Sequence, residues 1–128
     1  MAALFDAITT TLDRARKSEH GRHAELLVHD GPLRQTIIAL LQGVRLSEHN
    51  SPPAASIQMI RGRVTVTGQE TVTLETGTIA ALTHYRHAVE ALDDSVFLLT
   101  TVTSVPGAES HHAPSIHTSE TLRVREDD

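Results

Sequence analysis

The order of apolar and polar positions divides the chain into one helical segment and a longer region of short strands. Within residues 2–17 the apolar side chains recur at spacings of three and four residues, which puts them on one face of a helix. This stripe consists of Leu4, Phe5, Ile8, Leu12 and Ala15. The sequence therefore predicts an N-terminal amphipathic helix, which we expect to pack on the outside of the remaining domain or on a partner subunit.

From residue 23 onward the period changes, and apolar residues alternate with polar ones between glycine, proline and aspartate turns. The candidate strands follow one another at intervals of about 8–12 residues. They cover residues 23–28, 33–41, 44–49, 56–61, 63–67, 71–75, 78–82, 86–92 and 95–103. Many short strands at this spacing are typical of a β-sandwich or a closed barrel rather than of a βαβ fold.

The composition of the chain changes once more near its C-terminus. Residues 105–128 are mostly polar and offer little that could be buried in a core. The sequence thus predicts three parts, which are an N-terminal helical segment (1–20), a β-domain (21–104) and a polar C-terminal tail (105–128).

Composition and charge exclude several classes of function. The chain has 128 residues and a net charge of -5, and only 2% of its residues are aromatic. Without a basic patch or aromatic platforms it is poorly suited to bind nucleic acid or an acidic membrane surface. It has no cysteine, which excludes disulfides and thiolate zinc sites. Since no segment has the pattern of a membrane span or a secretory signal, we expect a cytoplasmic protein without membrane or nucleic-acid partners.

Two segments of the β-domain place histidines at fixed distances from glycines. In the first segment, His49 follows Gly43 after five intervening residues, and the segment ends at Gly62. In the second segment, Gly77 is followed ten residues later by His87. These spacings resemble the two sequence motifs of small single-domain cupins.

The resemblance to small cupins of the RmlC-like superfamily covers about residues 24–103. It implies an all-β fold, a double-stranded β-helix or jelly-roll barrel, which here follows one N-terminal helix. The mouth of such a barrel usually holds a metal or an organic ligand. Small cupins commonly dimerise, so the resemblance also implies a homodimer.

The resemblance further indicates which residues would line the barrel mouth. The ligands of the intact motifs are three histidines and a glutamate, and the corresponding positions are His49, Ser51, Ala55 and His87. The metal-ligand motif is incomplete, because a hydroxyl and a methyl group stand where an imidazole and a carboxylate would bind the cation. With His84 as a third nitrogen ligand, the implied metal site is His49, His87 and His84, binding Zn, Ni, Fe or Mn. A mouth without a metal fits these residues equally well.

Three functions of different classes follow from the resemblance. The first is binding or sensing of a small molecule in the mouth, with His49, Ser51, Met59 and His87 as the ligand-binding residues. The second is a metal-dependent enzyme of the oxygenase or isomerase type, using His49, His87 and a third ligand. The third is a non-catalytic structural or interaction domain. The sequence assigns no catalytic residue, because no second group is evident to pair with either histidine in acid–base chemistry.

Overall fold

The helix and strands follow the predicted order. A computed structural model describes residues 1–47, 54–68, 70–82 and 87–103, which form one helix and nine strands. The elements are α1 (Leu4–Lys17), β1 (Arg22–Asp30), β2 (Leu33–Leu40), β3 (Arg45–Ser47), β4 (Ala54–Arg61), β5 (Val64–Thr67), β6 (Thr71–Leu74), β7 (Ile79–Leu82), β8 (Ala88–Ala91) and β9 (Ser95–Val102). The predicted all-β fold with one N-terminal helix is confirmed. The predicted polar tail, residues 105–128, lies outside the described residues.

The strands form two sheets in which every described pair is antiparallel. The five-stranded sheet has the order β1-β2-β9-β4-β7, and the four-stranded sheet has the order β3-β8-β5-β6. Strands that are distant in sequence are therefore neighbours in space, as in Greek-key and jelly-roll folds. One face of each sheet lies against a shared apolar core.

Aliphatic side chains and one phenylalanine fill the space between the two sheets. The five-stranded sheet contributes Ile38, Leu40, Ile57, Met59, Phe97 and Leu99, and the four-stranded sheet contributes Leu46, Val64, Val66, Leu74, Val89 and Ala91. Burying each larger side chain stabilises the fold by about 1.5–3 kcal/mol. Because residues two apart on a strand share a face, these core residues show which face of each strand points into the barrel.

Helix α1 packs across the outer face of the five-stranded sheet. Its residues Leu12 and Ala15 are buried against Ile37, Ala39 and Val96. Strand β2 is consequently buried on both faces, which explains why it reads as a continuous apolar run rather than an alternating one. The second half of the apolar stripe, Leu12 and Ala15, is thus covered within the chain, whereas Leu4 and Phe5 are exposed. No helix in the described ranges has the length and hydropathy that a bilayer span requires.

Three glycines of the two motifs lie at one end of the barrel, which we call the glycine end. Gly43, Gly62 and Gly77 have φ angles of 84°, 81° and 88°, a conformation that other residues adopt only with strain. At Gly62 the chain is also crowded, since a Cβ atom there would lie 2.5 Å from the carbonyl oxygen of Asp94 and 2.8 Å from the Cα of Ser95. The glycines of the motifs are therefore required by the backbone.

The glycine end also satisfies its own polar groups. The hydroxyl of Ser95, which is fully buried, lies 3.0 Å from the carbonyl oxygen of Arg63 and 2.7 Å from that of Asp93 and donates to them. The side chains of Arg63 and Asp93 form an exposed ion pair with Nε and Oδ2 2.8 Å apart. This hydrogen bond lowers the pKa of Asp93 and raises the pKa of Arg63 from their ordinary values.

Candidate functional site

A cavity opens at the other end of the barrel, which we call the mouth. It has a volume of about 200 Å³ and lies between the β5–β6 hairpin of one sheet and the edge strand β7 of the other. Its lining residues are Val66, Gly68, Glu70, Val72, Leu74, Ala80, Ala81, Leu82 and His87. An apolar cavity with a few polar groups is the usual form of a small-molecule site.

His87 is positioned by the strand that follows it. It directly precedes β8, in which Val89 and Ala91 belong to the barrel core. By strand alternation the imidazole lies on the same inward face as those two side chains. The residue is only 9% exposed, although it stands at the end of its strand. The structure thus places an imidazole in the cavity wall. Its predicted role in binding a ligand stays a prediction.

The apolar part of the wall continues the barrel core. Val66 and Leu74 are buried core residues, and Ala80 and Leu82 pack against the core from β7. Val72 pairs with Val66 but is 47% exposed, so the cavity opens toward solvent on the side of β6. Its volume is below the roughly 300–1,000 Å³ of sites for drug-sized ligands, which favours a small ligand.

Glu70 is a lining residue that the sequence did not indicate. It is exposed and lies in the short turn between β5 and β6, beside Gly68. In the sequence, a glycine lies between two segments of alternating apolar and polar residues, and this pattern predicts only an ordinary β-hairpin. Only the pairing of β5 with β8, which aligns Thr67 with Ala88, shows that this turn is next to His87. The cavity therefore carries a carboxyl group as well as an imidazole.

The other predicted mouth residues fall into two groups. Met59 pairs with Phe97 and is buried in the barrel core, with 1% of its surface exposed. His49, Ser51 and His84 lie outside the described residues. Their roles as ligands of a small molecule or a metal remain predictions.

Ala55 occupies the position at which the intact first motif has glutamate. It pairs with Leu82 on one side and Thr101 on the other, and it shares the inward face of β4 with Ile57 and Met59. A carboxylate at this position would point into the barrel, whereas alanine presents a methyl group. The mouth therefore carries a methyl group at the position where the intact motif would supply an anionic ligand.

The donor groups near the cavity can be compared with those a metal needs. Transition metals in proteins are held by three or more nitrogen, sulfur or carboxylate ligands. Within the described ranges, no group of three or more His, Cys, Asp or Glu side chains could hold a metal ion. The described part of the chain therefore does not form a metal site by itself.

Comparison with protein-family models and with curated protein sequences gives no significant match. Solved structures do match. A cupin superfamily protein from Desulfitobacterium hafniense is similar with a TM-score of 0.61 at 14% identity, over 65% of this chain and 78% of that one. The chain has the cupin fold.

Two other solved structures that resemble this chain are KdgF and a dioxygenase. KdgF from Halomonas sp. is 21% identical with a TM-score of 0.59, over 67% of this chain and 83% of KdgF. Salicylate 1,2-dioxygenase from Pseudaminobacter salicylatoxidans is 15% identical with a TM-score of 0.67, over 87% of this chain but only 36% of that enzyme. Identities this low show a shared fold and leave the role of this chain to its own residues.

Proposed function

We propose that the barrel mouth binds a small organic molecule, with His87 as a polar contact. The observation that carries this proposal is the position of His87, which faces the interior in the wall of an otherwise largely apolar cavity of about 200 Å³. A neutral imidazole both donates and accepts a hydrogen bond. Such a group can orient a ligand whose apolar part contacts Val66, Leu74 and Leu82.

We include His49 and Ser51 in the proposed site. The register of β3 and β8 supports this, because Ser47 pairs with Ala88, the residue that follows His87. The chain that leads to His49 therefore starts beside the chain that leaves His87. Met59 was also predicted to bind the ligand, but it is buried in the barrel core and is not one of the residues that line the described cavity.

A thermal-shift screen with small acids, amides and aromatic compounds tests the binding proposal. We expect at least one compound to raise the unfolding temperature in proportion to ln(1 + [L]/Kd). His87→Ala should weaken the ligand affinity derived from this shift at least tenfold. His20→Ala replaces an exposed histidine just after α1 and should leave the affinity unchanged. Equal shifts in the wild type and His87→Ala would place the binding elsewhere.

A metal-dependent reaction is the second candidate, and two observations favour testing it. Glu70 brings a carboxyl group to the cavity that His87 lines, and the pairing of Ser47 with Ala88 starts the chain toward His49 nearby. If His49, His87 and His84 hold a cation, untagged protein should contain about one equivalent of Zn, Ni, Fe or Mn. His87→Ala should lose it. An unchanged metal content in that variant would exclude this site.

The remaining predictions concern assembly and location. A homodimer would give a scattering mass of twice the 13.9 kDa chain. The helix stripe no longer argues for it, since Leu12 and Ala15 are buried within the chain, but Leu4 and Phe5 are 44% and 87% exposed. The cytoplasmic location stays a prediction.

A chain that binds neither a small molecule nor a metal would support a structural or interaction role.

A further inference from the structure

Arg34 brings a positive charge to the inner side of the barrel mouth. It lies near the start of β2 and pairs with Thr101 on β9. Its neighbours on the same face of β2 are Thr36 and Ile38, which are buried, and Ile38 belongs to the barrel core. By strand alternation the Arg34 side chain therefore extends along the interior face of the five-stranded sheet.

Within the described ranges Arg34 shares the lack of a carboxylate partner with Arg22 and Arg61. Arg22, however, donates to the carbonyl oxygen of Arg45, and Arg61 is exposed. Among the described residues, Arg14, Arg16, Arg45 and Arg63 each have a carboxylate oxygen within 4.0 Å. Arg34 has no such ion pair in the described ranges, and its Nε is buried without a hydrogen-bond partner there. A buried cationic donor that the protein does not satisfy is costly, so a partner from outside the chain would be favoured.

Two further donors flank Arg34 on the same face. His29 pairs with Arg34 across β1 and β2, and Thr101 pairs with it on the other side. Side chains that lie directly opposite one another on neighbouring strands have Cβ atoms about 4.5–5.5 Å apart. Guanidinium, imidazole and hydroxyl groups therefore stand next to one another in one row across three strands. His29 is exposed at the rim, whereas Thr101 is 2% exposed.

The same row explains why Arg34 has no internal partner. Beyond Thr101 it continues through Ala55 to Leu82, which lines the cavity. Neighbouring strands are about 4.8 Å apart, so a glutamate at position 55 would be within reach of the Arg34 guanidinium. With alanine there, the row carries donors at one end and an apolar wall at the other.

We propose that His29, Arg34 and Thr101 bind the carboxylate group of a small organic molecule. Arg34 would hold both carboxylate oxygens through its paired N–H donors, the geometry for which a guanidinium is best suited. The Thr101 hydroxyl would donate from β9, and His29 would close the site at the rim. This inference builds on the proposed function by naming the chemical class of its ligand, a small carboxylic acid with an apolar body.

Matched pairs of acids and amides test the preference for a carboxylate. Acetate, propionate and benzoate are titrated into ¹⁵N-labelled protein alongside acetamide, propionamide and benzamide, and the Nε–H signal of Arg34 is followed by NMR. We expect at least one acid to shift this signal saturably, with its amide binding at least tenfold more weakly. Arg34→Gln should remove the preference for the acid, measured by thermal shift, whereas Arg61→Gln, an exposed arginine, should retain it.

Position 55 gives a second test that keeps Arg34 in place. Ala55→Glu should supply an internal carboxylate and weaken acid binding at least tenfold, and the neutral Ala55→Gln should weaken it much less. Equal binding of acids and amides, or acid binding that is unchanged in both Arg34→Gln and Ala55→Glu, would overturn the inference. If compounds still stabilise the protein through His87 without preferring acids, the inference is wrong and the proposed function stands.

Discussion

The two ends of the barrel are built from the same strands but use their polar groups differently. At the glycine end, backbone and side-chain donors meet acceptors of the chain itself; the Gly43 N–H, for example, donates to the Ala91 carbonyl oxygen over 2.8 Å. At the mouth, His87 and Glu70 line an open cavity, and the Nε of Arg34 has no hydrogen-bond partner among the described residues. One end is thus specified by the needs of the fold, and the other is available to a ligand.

This difference explains which parts of the two motifs persist in the sequence. The glycines hold positive φ angles that the turns require, so replacing them would destabilise the barrel. Position 55, which corresponds to a metal ligand of the intact motifs, lies at the mouth, where we expect a side chain to change without loss of the fold. Ala55, in the place of a glutamate, is such a change. The predictions below test whether the two ends respond to substitution in these different ways.

The largest effect is expected at Gly62. Replacing it with alanine imposes a left-handed conformation and pushes a Cβ atom into Asp94 and Ser95, so we expect a loss of about 2–5 kcal/mol in the free energy of unfolding. Gly43→Ala has nearly the same φ but open space around the new Cβ, and it should lose only about 1–2 kcal/mol. Urea unfolding measures both. Equal losses would show that crowding at Gly62 contributes nothing.

Filling the cavity at the mouth should affect ligand binding but hardly affect the stability of the unliganded protein. Ala80→Leu places a larger side chain in the cavity wall, and we expect the unliganded stability to change by less than about 1 kcal/mol because the space is open. The stabilisation by a bound ligand, about 2.7 kcal/mol at a hundred times its Kd, should be lost. Ala54→Leu, at an exposed position outside the lining, is the control. Ligand stabilisation that survives in Ala80→Leu would contradict the cavity as the binding site.

Two hydroxyl groups of β9 allow a direct comparison of the ends. Ser95 at the glycine end is fully buried and bonded to two carbonyl oxygens, so Ser95→Ala should cost about 1–2 kcal/mol. Thr101 at the mouth is 2% exposed and has no side-chain hydrogen bond among the described residues. Thr101→Val should therefore change the unliganded stability by less than about 0.5 kcal/mol. Chemical denaturation measures both variants, and equal losses in their free energies of unfolding would refute the comparison.

The smallest effect concerns the exposed Arg63–Asp93 pair. Because Arg63 lowers the pKa of Asp93 below its ordinary value of 3.8, the pair stabilises the fold above that pH. This contribution is lost as the pH falls through the lowered pKa. Asp93→Asn should therefore be slightly less stable than the wild type at pH 6, and the difference should shrink in acid. Asp30→Asn at the mouth end controls for net charge, and a similar pH-dependent difference there would remove the role of the pair.

Much of the fold could be predicted from the sequence because its signals are local. The helix follows from the spacing of Leu12 and Ala15 within the apolar stripe, and the strands follow from alternation between turn residues. The barrel was implied by the resemblance of the glycine and histidine spacing to the motifs of small cupins. In β2, however, Ile37 and Ile38 are buried on opposite faces, so alternation could not show which residues of this strand point inward.

The juxtaposition of His29, Arg34 and Thr101 in the proposed carboxylate site could not be predicted for a related reason. Strand β1 contains a bulge at Leu27, which shifts the register between Leu26 and Val28. A bulge reverses the alternation beyond it, and here it brings His29 onto the same face as Arg34. Without the bulge, counting along the strand would put His29 on the outer face. The position of Glu70 beside His87 likewise depends on a strand pairing that no local pattern reveals.

The placement of α1 has a practical consequence for anyone shortening this chain. Ile37, Ala39 and Val96 have no exposed surface while the helix covers them. A truncated form beginning at the first strand would expose these side chains to water as one apolar surface of the sheet, and such surfaces promote aggregation. The N-terminal residues should therefore be kept in any fragment prepared for ligand screening.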